Sequence, residues 1–120
     1  MANEIFTSLE LTARKNGATV TSRVSGNQTM TGDDLLQSTQ VVGTTSEAVS
    51  FGEITGAPAQ LFIQNLDTTN FVEIGGDSGL TVFKLKILAG KAILISPSSA
   101  TMYAKADTAA VRILITAAEA

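Results

Sequence analysis

The feature that most restricts this chain is period-two alternation of apolar and polar residues in segments too short for helices. Asn3 to Arg14 reads NEIFTSLELTAR, with Ile5, Leu9, Leu11 and Ala13 on one parity and Glu4, Ser8, Glu10 and Thr12 on the other. Alternation of this kind marks a strand with one wet face. Lys15-Asn16-Gly17 follows, and Asn-Gly is a strong hairpin signal because it tolerates the positive φ angles of the tight primed turns. Ala18 to Val24 is predicted as the returning strand, with Ala18, Val20 and Val24 facing one way.

Beyond it, Ser25-Gly26-Asn27 and Thr31-Gly32-Asp33-Asp34 read as turns around a short edge strand. Further strands are predicted at 37–42, 48–51, 59–64, 71–74, 80–88, 92–95, 101–105 and 110–116. In the segment 80–88, Phe83, Leu85 and Ile87 are expected inward, and Lys84 and Lys86 outward. The glycine-rich stretch 75–79 is a loop, since glycine loses the most backbone freedom on ordering. The closing TAAEA is expected to fray. Eight to ten short strands without an amphipathic helical run predict an all-β, antiparallel β-sandwich. We expect one domain over 1–120, folded from 5 to 116, with short flexible ends. Eight strands in two sheets suit a jelly roll; periodicity does not fix strand order, so a barrel and an immunoglobulin-like sandwich stay open.

Composition removes most chemistry. The 120 residues include no cysteine, histidine or tryptophan, which excludes disulfides, thiolate or imidazole metal sites and a histidine base. Asp33-Asp34 reads as two solvated acids in a turn rather than a catalytic pair, which needs a cleft and two unlike environments. Asp67, Asn70, Asp77 and Ser78 offer oxygen ligands near two turns, but their spacing matches no calcium loop, and Asp67 is expected to accept backbone hydrogen bonds. No histidine is present to activate the hydroxyls of Ser96, Ser98 and Ser99. Phe62, Phe71 and Phe83 fit core positions, which weakens a sugar-binding reading. We therefore expect no enzyme activity and no cofactor.

The net charge is −3, from 8 basic and 11 acidic residues, with no basic cluster longer than Arg14-Lys15, so no nucleic-acid footprint is visible. No basic and apolar leader and no apolar run of about 20 residues is present; the expectation is a soluble product of the cytoplasm with no membrane partner. Charged residues form 16% of the chain, against roughly 25% in ordinary soluble domains. A weakly charged polar surface suits broad contact with protein, and it equally suits a hydroxyl-rich β surface that needs no partner.

Three segments, LFIQNLDTTNFVEIGG, FKLKILAGKAILI and YAKADTAAVRILI, together resemble small virion structural proteins of tailed phages, of the head decoration or cement type. The likeness spans roughly residues 59–115 and rests on Asn65-Leu66-Asp67, on Asn70 before Phe71-Val72-Glu73-Ile74-Gly75, on a hairpin between Lys86 and Gly90, and on Ala104-Lys105-Ala106-Asp107 before the last strand. Lys91 departs from it, standing where the family commonly has an acidic residue. The resemblance implies scaffold turns at Asn65, Asp67, Asn70, Gly75, Gly90 and Asp107 rather than reactive groups. It further implies a non-catalytic cement protein on the outer capsid surface, a homotrimer bridging capsomers of the major capsid protein. A receptor- or glycan-binding module of a fibre or tail, or a neck adaptor, is the alternative.

Overall fold

A computed structural model describes residues 4–120 as two units, 4–31 and 32–120. The first unit is a hairpin of β1 (Ile5–Lys15) and β2 (Ala18–Gln28), which pair only with each other. Asn16 and Gly17 carry the turn at φ 52° and 81°, the two positive values that a tight primed turn needs. The register runs without a slip from Lys15↔Ala18 to Ile5↔Gln28. The expected turn at Ser25-Gly26-Asn27 is instead the end of β2, because a long partner strand continues opposite it. Asn3, where the sequence alternation begins, lies outside the described residues, as does the rest of the expected flexible N-terminal end.

The second unit holds eight strands: β3 (Leu35–Val42), β4 (Glu47–Ala48), β5 (Pro58–Asn65), β6 (Val72–Gly75), β7 (Lys84–Ile87), β8 (Ala92–Ile95), β9 (Tyr103–Ala106) and β10 (Val111–Glu119). They form two four-stranded antiparallel sheets, ordered β3-β10-β5-β8 and β4-β9-β6-β7. Alternate residues of both sheets meet in one apolar cluster. Leu61, Ile63, Ile113 and Ile115 come from the first sheet, and Val72, Ile74, Ile87 and Ala104 from the second. The architecture is all-β and sandwich-like, and each fully buried Ile or Leu contributes roughly 1.5–3 kcal/mol.

Three local expectations are corrected. The segment 80–88 is a strand only from Lys84 to Ile87; Ile87 is buried, but Phe83 and Leu85 are exposed. Its first half is a turn with Leu80 at φ 54°, held by Asp77. That carboxylate accepts the Thr81 hydroxyl at 2.6 Å, the Thr81 N–H at 2.6 Å and the Val82 N–H at 3.0 Å. The C-terminal TAAEA does not fray: β10 runs to Glu119, and residues 117–119 are buried. None of Phe62, Phe71 and Phe83 lies in the core; Phe51 is the buried phenylalanine. Phe62 sits in outward register between Thr116 and Leu94, and β-branched residues fill the narrow space between the sheets instead.

Candidate assembly surface

The sequence-selected turn residues do not build a reactive centre. Five of them gather where three loops meet at one end of the sandwich. Asn65, fully buried, ends β5. Its Nδ2 donates to the carbonyls of Asn70 (2.9 Å) and Ile87 (3.0 Å), and its Oδ1 accepts the Asp67 N–H at 2.8 Å. Its backbone N–H donates to Lys91 O, and its carbonyl accepts the Gly90 N–H. Gly90 sits at φ 75°, a conformation a β-carbon opposes. Asp67 Oδ2 accepts the N–H groups of Asn70 (2.7 Å) and Thr69 (3.1 Å), which hold the carboxyl below its ordinary range. Asn70 Oδ1 accepts the Thr108 hydroxyl, and the Asp107 N–H donates to Phe71 O. Gly75 stands apart at the far end of β6, where a β-carbon would press on Leu80 and on the Phe83 carbonyl, the latter at 2.7 Å. Every polar atom named here is engaged with backbone or a turn hydroxyl.

Sequence reasoning missed Glu119. Its Oε2 accepts the Thr55 hydroxyl (2.8 Å) and Thr55 N–H (3.0 Å), and its Oε1 accepts the N–H groups of Asp33 (2.9 Å) and Asp34 (3.3 Å). The Thr55 backbone and hydroxyl donors, followed by the Asp33 and Asp34 N–H groups, draw its pKa down to about 2. Beside it the Gly32 N–H donates to Ala120 O, so close that a β-carbon on Gly32 would collide with the Glu119 side chain. The available signal was a lone acid in an apolar run, matched by a Gly-Asp-Asp turn with N–H groups to offer. Asp33 and Asp34, predicted as solvated acids, contribute those N–H groups to this clamp.

The two sheets present unlike outer faces. On the β4-β9-β6-β7 face, Glu73 stands between Lys105 and Lys86 in register. Lys84 lies 3.9 Å from Glu73, and the Lys86 ammonium sits 4.5 Å from the Phe71 ring centre. The β3-β10-β5-β8 face carries Leu35, Gln37, Thr39 and Val41 from β3, then Arg112, Leu114 and Thr116 from β10. Gln60, Phe62 and Gln64 follow from β5, and Ala92 and Leu94 from β8. Arg112 is the single charge in these outward strand positions. The edges differ in the same way. β7 reads KLKI, with lysines of the kind that discourage strand pairing, whereas β3 reads LLQSTQVV, with no charge and no proline.

The hairpin is also two-faced. Glu10 opposes Arg23 at 3.7 Å, and Thr12 opposes Thr21 at 3.4 Å, on one side. Ile5, Leu9, Leu11, Ala13, Lys15, Val20 and Val24 share the other side; Ile5 is buried, whereas Leu9, Leu11, Val20 and Val24 are exposed, Leu11 at 69% and Val20 at 66%. Among the described residues no cluster of three or more acidic, histidine or cysteine groups is placed to hold a metal. Among the same residues no helix is long and apolar enough to cross a membrane. Comparison with protein-family models, with curated proteins and with solved structures finds no match for this chain.

Proposed function

We propose that the chain is a non-catalytic structural protein of a tailed-phage virion, a decoration or cement protein. It binds the outer head surface through the major capsid protein, bridges capsomers, and acts as a homotrimer without enzyme activity, cofactor, nucleic acid or membrane. The observation that carries this reading is the weakly charged β3-β10-β5-β8 face beside the unguarded β3 edge. A broad neutral face costs little desolvation when it meets another protein, and contacts repeated around a closed shell add through multivalency.

The reading extends to the fold as a jelly roll. Successive pairs β3·β10, β4·β9, β5·β8 and β6·β7 are those of one long antiparallel ribbon. The added pairs β10·β5 and β9·β6 roll that ribbon into two sheets, the double Greek-key arrangement of this class. A glycan- or receptor-binding module of a fibre or tail is the second reading, favoured by Phe62 and Phe83 lying outside the core. An electron-microscopy reconstruction of the particle separates the two. Density in hundreds of copies over the shell is expected; density confined to the tail vertex, or none, overturns the decoration reading.

A further inference from the structure

The hairpin sets a problem that its own sequence does not solve. Two strands alone are at best marginally stable in water, and lasting order needs a third strand or a packed face. Yet β1 and β2 run eleven residues each in unbroken register, with Leu9, Leu11, Val20 and Val24 on one face and all exposed. The opposite face carries Glu10, Arg14 and Arg23, with the exposed Phe6 alone near its open end.

We infer that the apolar face of the hairpin packs on the outer face of the β3-β10-β5-β8 sheet of a second copy of this chain. Chemistry selects this occupant. Among the described strands that sheet face is the other broad surface nearly free of charge, and its apolar members Leu35, Val41 and Leu114 sit among glutamines and threonines. The lysine-bearing face of the other sheet would strand its charges against leucine and valine. Size agrees as well. Eleven residues per strand make a face about 37 Å long and about 10 Å wide, or about 400 Å². A copy that gives one arm and receives one buries about 800 Å² of its own surface in all, the per-partner area of a standard stable interface where the exchange is reciprocal, and about 400 Å² against each neighbour where it closes as a ring. Giving and receiving use different surfaces, so the contact closes as a reciprocal pair or a ring. It rests on the chain's own surfaces and needs no shell.

The chain has no cysteine, which makes cross-linking clean. Val20→Cys and Val41→Cys variants of the full chain, one bearing a mass tag, are mixed and oxidised. A mixed disulfide dimer is expected, at a yield at least tenfold above that of Thr21→Cys with Val41→Cys, since Thr21 lies on the charged face of the hairpin. Leu11→Ser with Val24→Ser is expected to weaken self-association at least tenfold in sedimentation, with an unchanged far-UV spectrum. Mixed dimers no more abundant than in the control, or a 12.4 kDa species at every concentration, overturn the inference. In the latter case a different protein covers the hairpin. Particle reconstruction tests the decoration reading separately, so either result stands without the other.

Discussion

The hairpin and the sandwich are made from the same kind of sequence and end in opposite states. Leu9-Glu10-Leu11 in β1 and Leu61-Phe62-Ile63 in β5 both put apolar residues two apart. Leu61 and Ile63 are fully buried, whereas Leu9 and Leu11 are exposed. The difference lies in what stands opposite. The sandwich has a second sheet to receive every inward residue, and the hairpin is a sheet of two strands. Alternation therefore states which face of a strand wants cover, and the rest of the assembly states whether it has it.

The contrast breaks first at Asn65. Asn65→Ala leaves the carbonyls of Asn70 and Ile87 and the Asp67 N–H without their side-chain partner; the Ile87 contact is buried and the other two part-buried, and an orphan costs about 1–3 kcal/mol when buried. A loss of about 4 kcal/mol in urea unfolding of the sandwich is expected, with the hairpin amides unchanged in hydrogen exchange. A loss below about 1 kcal/mol would mean that the three loops do not depend on this side chain.

A smaller effect is expected at Glu119, and it depends on pH. The carboxyl titrates at about 2 in the folded protein against an ordinary 4.5, so between these values the unfolded chain holds the extra proton. Its stabilisation is complete above pH 4.5 and is lost as pH falls through about 2. Glu119→Gln should be less stable than the parent at neutral pH, and the two should converge on acidification through that window. Parallel curves would remove the clamp as the cause. The least effect belongs to the hairpin's exposed ion pair. Glu10→Lys is expected to cost at most about 0.5 kcal/mol and to leave the sandwich midpoint in place. A large shift there would show that the two units unfold as one.

Most strands were legible because alternation and turn residues act locally. Asn16-Gly17 dictates a tight turn whatever surrounds it, and Ile113 and Ile115 mark an inward face unaided. The failures fall where distant partners decide. Ser25-Gly26-Asn27 has turn chemistry, but β1 supplies a ladder opposite it. TAAEA has weak strand propensity, yet β3 and β5 flank it and donors from Asp33, Asp34 and Thr55 fix Glu119. Phe62 looks like core until its register with Thr116 turns it outward. The turn residues named from the sequence lie where loops converge, but the neutral sheet face could not be assembled without strand order, since its members come from four separated segments.

The pairing of β3 with β10 also has a consequence in time. The sandwich's first strand is joined to its last, so the first sheet cannot be completed until residues 111–119 have left the ribosome. Pairings so distant along a chain form slowly, because loop entropy is lost before contacts repay it. The hairpin is made first and is wholly local, and such elements close in about 1–10 μs. During synthesis, at roughly 5–20 residues per second, the hairpin can therefore close seconds before the last strand of the sandwich is made.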